Sequence, residues 1–232
     1  LQKAWPGVLT AIPPGQADHV RQWDAYALSY TPTGQECPPF RADTLLMPGS
    51  CVLLGDKPWQ VHAAPGHDPH SVVLFEPRDR ILISADALWE NGFGVVFPEL
   101  EGIDAFDEVA ATLSLIATLN PAVVIPGHGR AFEDVEGALH RARTRLNQFA
   151  TSPEKHRRYA LKVLLKFKLL EWRSVDFDEL LAWYAQTPYL ASIEQRPEEQ
   201  DAQAMRASLQ SLIAELVKSN ALTRDGDRII DA

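Results

Sequence analysis

No stretch of the sequence stays apolar for the ~20 residues that a membrane-spanning helix needs. Its first residues do not pair a basic patch with an apolar run, as a secretory signal would. Cysteine is scarce. Cys37 and Cys51 are the only two, and their spacing matches no metal-binding or redox pair. That scarcity points to a reduced, cytoplasmic protein, with a disulfide between the two as the alternative. Positive charge is also short: 22 Lys and Arg stand against 31 Asp and Glu, for a net charge of −9. The deficit lies almost wholly in residues 1–150, which carry 10 bases and 18 acids. Such an acidic body argues against broad nucleic-acid binding. What remains is an ordinary soluble composition over 232 residues, enough for one medium domain with a small appendage.

The pattern along the chain predicts an amphipathic helix over 17–28, with Val20, Trp23 and Ala27 on one stripe, then an extended Pro/Gly-rich loop over 31–49. Short strands follow at 51–55 and 59–65, separated by Gly-Asp-Lys-Pro. Two further runs, "SVVLFE" and "RILISA", are apolar throughout, as strands covered on both faces would be. A helix is predicted over 104–121 with Asp104 as its N-cap, then a buried strand at 122–125 and a helix over 133–149. After Thr151-Ser152-Pro153 the style changes. Helices over 154–171, 176–186 and 202–219 and a hairpin turning at Asp225-Gly226 make a winged-helix-like unit, with Asp176 and Glu179 as a capping box. The predicted domains are therefore 1–150 and 154–232.

The chemistry concentrates at two identical tripeptides. Pro65-Gly66-His67 stands before one apolar run, and Pro126-Gly127-His128 ends another. Asp86 closes the strand between them. Side chains at strand ends project over a sheet edge, where active sites are commonly built. Imidazole nitrogen and carboxylate oxygen ligate zinc, iron and manganese. Taken singly, each of these residues reads as an ordinary loop histidine or a capping aspartate. Two Pro-Gly-His turns around a strand-end Asp are hard to obtain from packing alone. In "LWENGFGVVFPELEG", the loop after Asp86, Phe93, Phe97 and Glu99 are candidates to shape a substrate pocket, or to pack the loop. His70, three residues past His67, is a candidate beside the substrate. His62 reads as a core or edge histidine, and His140 and His156 read as solvated. No residue is named as a catalytic acid.

Through "PGHDPHSVVLFEPRDRILISADAL" and "NPAVVIPGHG", residues 1–150 resemble the metallo-β-lactamase superfamily. The tail more weakly resembles the appendage of a glyoxalase-II-like subgroup, that of lactamase-β-like protein 2. The resemblance implies an α/β, four-layer αβ/βα sandwich carrying two divalent metals, zinc first and iron or manganese next. It implies His67, Asp86 and His128 as ligands, with Asp86 bridging. It also implies a metal-bridging hydroxide acting on a small-molecule ester, thioester or amide. Where the family has Gly-Asp, this chain has Ala85-Asp86, which keeps the carboxylate. The family's His-x-His-x-Asp-His occurs nowhere in the sequence, and "LQKAWPG" resembles the segment that follows it. The implied expectation is a parent protein with a further leading segment, and a chain that by itself holds metal weakly and is inactive. Two other classes stay open. One is a metal-dependent ribonuclease, to which the basic stripe Lys155, Arg158, Lys162 and Lys166 would lend a path. The other is a non-catalytic binding module. A solvated outer face is the usual explanation of such a stripe, and the appendage could equally be a lid or a homodimer surface.

Overall fold

The computed structural model describes residues 2–197 and 201–232. Its chain forms two compact units, Leu1–Asp24 with Pro39–Pro153, and Ala25–Pro38 with Glu154–Ala232. Among the described residues, no helix is long and apolar enough to cross a membrane.

In the first unit, β1 (Ala11–Ile12) pairs in parallel with β2 (Thr44–Leu45). Helix α1 (Ala17–Gln22) is shorter than the pattern predicts, because Trp23 turns left-handed at φ 52° and the Asp24 amide closes back on the His19 carbonyl. The main sheet contains β3 (Cys51–Leu54), β4 (Lys57–Ala63), β5 (Val72–Glu76), β6 (Ile81–Ala85) and β7 (Val123–Pro126), in that order. The first four strands are antiparallel, and β7 joins β6 in parallel. Coverage of this sheet is one-sided. Val73, Phe75 and Leu82 are buried, whereas Val72, Leu74, Ile81 and Ile83 on the alternate positions are only half-buried.

After the single turn α3 (Phe97–Leu100), α4 (Phe106–Leu119) buries Val109, Leu113 and Ile116, and α5 (Val135–Thr151) buries Ala138, Leu139, Ala142 and Phe149. Their i, i+3, i+4 spacing is the one that puts an apolar stripe on a core. Asp104 is not the cap of α4. Glu99 Oε1 takes that role, accepting from the Ala105 and Phe106 amides at 2.6 and 2.7 Å.

In the second unit, α2 (Tyr30–Thr33) breaks the loop expected over 31–49. It is joined by α6 (Pro153–Trp172), β8 (Ser174–Asp176), α7 (Phe177–Gln186), α8 (Pro188–Glu194), α9 (Ala202–Lys218), β9 (Leu222–Asp225) and β10 (Arg228–Asp231). The strands form an antiparallel sheet in the order β8–β10–β9. The hairpin turns at Gly226-Asp227, one residue later than predicted, with Gly226 left-handed at φ 59°. Asp176 makes no side-chain cap to α7. It lies in β8, and the Phe177 amide bonds instead to the Asp227 carbonyl. Leu164, Leu165, Leu169, Leu180, Leu212 and Ile229 form the core. Lys168 is buried among them by its stem, and its Nζ reaches the Gly34 carbonyl and Glu171 at 2.8 Å each. The Trp183 indole donates to the same carbonyl at 3.3 Å, which fixes the segment around α2.

One reading of α6 needs correction. His156 is not solvated but 2 % exposed, because it shares a stripe with buried Ala160 and Leu164 at i+4 and i+8. Burial, reinforced by Arg157, pushes its imidazole down to about 4. The basic stripe stays partly exposed, with Lys155 at the surface, but three of its charges are paired. Arg158 Nε and Lys162 Nζ both donate to Glu215, at 2.7 and 2.9 Å, and Lys166 pairs with Asp231 and the Ala221 carbonyl. Cys37 is half-buried and Cys51 exposed, and both are free thiols.

Candidate functional site

The two Pro-Gly-His turns use their glycines for close approach. At Gly66, φ is +136°, and a Cβ would meet Val109 of α4 at 2.6 Å. Thr112 of the same helix donates to the Pro65 carbonyl at 2.8 Å, so α4 fixes the loop that presents His67. At Gly127, a Cβ would stand 2.6 Å from Asp86 Oδ1 and 3.1 Å from the Ala85 carbonyl. The Gly127 amide donates to that carbonyl at 2.7 Å. Between the two turns, the β6–β7 register slips at Ile83–Ala85, and Ala85 is left-handed at φ 46°. A bulge of this kind re-aims the next side chain. Asp86 follows it directly, at the sheet edge where His128 also emerges.

The three side chains meet. His67 Nε2 lies 3.4 Å from Asp86 Oδ2, and His128 Nε2 lies 3.7 Å from Asp86 Oδ1. His67 Nδ1 is 2.6 Å from the Val95 carbonyl. A carbonyl only accepts, so Nδ1 carries hydrogen there, and in the neutral ring Nε2 is the bare nitrogen facing Asp86. Among the described residues, no three His, Cys, Asp or Glu side chains stand close enough together to hold a metal ion as they are placed. The donors are two imidazole–carboxylate pairs that share one carboxylate. The site is open but not bare: Asp86 is 26 % exposed, and His128 about half.

Aromatic rings back both imidazoles. Phe97 packs on His67 with centroids 5.3 Å apart, and Trp89 meets His128 edge-on at 5.2 Å. Trp89 Nε1 also donates to Asp86 Oδ1 at 3.0 Å. Sequence reasoning missed Trp89. Its one signal is the tight turn over Glu90-Asn91 with Gly92 after it, which pairs Trp89 with Gly92 and brings the indole to Asp86. The Val95 carbonyl left no signal in the residue types.

The remaining candidates go elsewhere. Phe93 is 1 % exposed and packs edge-on against Phe149. Glu99 has both its bonds to the start of α4. His70 is exposed with its ring over Gly15, in a shallow cleft of about 280 Å³ lined also by Pro14, Pro48 and Ser71. His62, half-buried on β4, contacts Gln60 Oε1 at 3.1 Å, and burial lowers its imidazole.

A family model described as the metallo-beta-lactamase superfamily matches residues 2–128, more than half the chain and all three convergent side chains. The chain belongs to the metallo-β-lactamase superfamily. Chicken (Gallus gallus) acyl-coenzyme A thioesterase MBLAC2 is 30% identical over 98 residues, 41% of this chain and 34% of that protein. The chain therefore spans about a third of the length of this curated relative. Among solved structures, the metallo-beta-lactamase family protein TTHA1429 from Thermus thermophilus matches 97% of this chain and 72% of its own, at 17% identity and TM-score 0.46. TTHA1623 in a di-iron-bound form matches 61% of this chain and 66% of its own, at 24% identity and TM-score 0.46. The first unit is thus a metallo-β-lactamase α/β fold with a mixed sheet, in a superfamily that includes hydrolases.

Proposed function

We propose that the chain is the part of a metal-dependent hydrolase that carries His67, Asp86 and His128 as metal ligands, with Asp86 shared between two divalent ions. The observation that carries this reading is the division of one carboxylate between two imidazole nitrogens, Oδ2 toward His67 and Oδ1 toward His128. With Nδ1 held by a backbone carbonyl, His67 has the second bond that ligating histidines use to fix ring and tautomer. The donor set of nitrogen and carboxylate oxygen suits zinc first, then iron or manganese. Bound metal would supply a nucleophile at neutral pH and polarise the carbonyl under attack. Asp86 would set the spacing of the two positions, His67 and His128 would each hold one, and the rings of Phe97 and Trp89 give the mouth apolar walls.

An acyl thioester or ester is the favoured substrate class, in keeping with the thioesterase relative and with the aromatic walls beside both imidazoles. A ribonuclease would need a basic path, and Arg158, Lys162 and Lys166 have their charges paired within the second unit. We read that unit as winged-helix-like from its helices and its β8–β10–β9 sheet, and as an appendage without nucleic-acid function.

Titration of the chain with Zn2+ by calorimetry tests the metal reading. Wild type is expected to take up Zn2+ and Asp86→Ala to bind at least about tenfold more weakly. Equal affinity in the two overturns it. Hydrolysis of a short acyl-CoA thioester, set against a single-stranded RNA under the same Zn2+ loading, separates the substrate classes.

A further inference from the structure

The loop after Asp86 shapes the site more than its sequence suggests. It is anchored from several sides. Leu88 is fully buried, and Ser84 Oγ donates to its carbonyl at 2.6 Å. Arg141 Nε donates to the Glu90 carbonyl at 2.8 Å, and Phe93 is set in the core. Between these anchors, the paired backbone of Trp89 and Gly92 leaves the indole little freedom. That indole makes two separate contacts with the candidate ligands: its N–H with Asp86 Oδ1 at 3.0 Å, and its ring with His128 at 5.2 Å and 77°.

A carboxylate rotates broadly about its last bond. Without a donor, Asp86 could turn either oxygen, or an edge between them, toward either imidazole. The fixed indole N–H removes that freedom, since tying Oδ1 near His128 leaves Oδ2 to face His67. We propose that Trp89 is a positioning residue that sets the rotation of the Asp86 carboxylate and the tilt of the His128 ring, so that each oxygen faces its own divalent cation. This rests on the metal reading above. The N–H takes one lone-pair direction of Oδ1 and leaves the other for the cation shared with His128.

Two measurements test it. In the 15N-labelled chain without added metal, the indole N–H signal of Trp89, identified by its loss in Trp89→Phe, is expected to exchange slowly with solvent. It should shift and exchange faster in Asp86→Ala. A signal indifferent to Asp86→Ala overturns the proposal, and where Trp89→Phe does not fold, a chain with benzothienylalanine at position 89, which lacks the N–H, gives the same assignment. Next, Co2+ is titrated into wild type, into Trp89→Phe and into the chain carrying a benzothienylalanine at position 89, which keeps the ring shape without the N–H. Both replacements are expected to weaken Co2+ uptake about tenfold. If the benzothienyl form binds Co2+ as wild type does, packing alone accounts for Trp89 and the proposal fails. If wild type takes up no Co2+ while the indole signal responds to Asp86→Ala, the metal reading falls, and the hold of Trp89 on the carboxylate stands.

Discussion

One carboxylate stands between two basic groups at Asp86, and another does so at Glu215. At Asp86 the neighbours are His67 and His128, at 3.4 and 3.7 Å. At Glu215 they are Arg158 and Lys162, closing to 2.7 and 2.9 Å. The two arrangements differ in what they leave unsatisfied. Arg and Lys bring permanent cations and several donors, so Glu215 is neutralised within the protein. Its carboxyl is accordingly held below the ordinary carboxylate range by the Arg158 and Lys162 hydrogen bonds. At Asp86, the bare Nε2 of a neutral His67 would point a lone pair at an anionic oxygen, and the tryptophan N–H is the donor that Oδ1 receives. That geometry is poor as a salt bridge and apt for a cation placed between. A carboxylate finished by the fold is structural, and one left for a third party is a site.

A buried imidazole with no such task sharpens the contrast most. His156 is pushed from its ordinary 6.5 down to about 4 by burial and by Arg157. The sign follows from linkage. The unfolded chain takes up a proton near pH 6.5 and the folded chain only near 4, so stability is full above 6.5 and falls as pH drops between these values. A shift of that size corresponds to about 3 kcal/mol. Urea unfolding at about pH 7 and about pH 4.5 is expected to show most of this loss in wild type and little of it in His156→Gln. Equal acid sensitivity in both would show that His156 is not the source. Glu215 adds in the same direction at lower pH. Its folded pKa is depressed, so its contribution is present above the ordinary carboxylate pKa and lost on going below it.

A smaller effect separates the two carboxylates directly. Glu215→Gln removes half-exposed ion pairs and is expected to cost about 1 kcal/mol at low salt, and less at about 1 M salt. Asp86→Asn is expected to leave the metal-free protein as stable as wild type, or more so, because it removes a charge that the fold does not neutralise. Urea midpoints at low and high salt check both. Destabilisation by Asp86→Asn that matches Glu215→Gln would make Asp86 a structural ion pair and erase the distinction.

The distinction was half legible beforehand. His67, Asp86 and His128 could be read because proline, glycine and histidine recur as a unit at strand ends, and periodicity placed β3 to β7 and α4 to α7 within a few residues. Roles held by a backbone atom or by a loop's path were not readable. Any residue could supply the Val95 carbonyl, and Glu99 caps a helix six residues away only because α3 brings it there. Strand β8 has one buried residue, Val175, too little for a pattern. His156 was misread because the charges around it outweighed its i+4 and i+8 partners.

The smallest effect concerns how Asp86 is aimed. Ala85 adopts φ 46°, a left-handed conformation that costs an L-residue roughly 1–2 kcal/mol. Glycine would relieve that strain but lose about 0.5–1 kcal/mol to greater freedom in the unfolded chain. Ala85→Gly is therefore expected to raise stability by less than about 1 kcal/mol, read as a small rise in the urea midpoint. Its Zn2+ affinity should match wild type, because the Ala85 carbonyl that receives the Gly127 amide is unchanged. A clear loss of affinity would mean that the strain itself aims the carboxylate. The bulge would then belong to the site rather than only to the sheet.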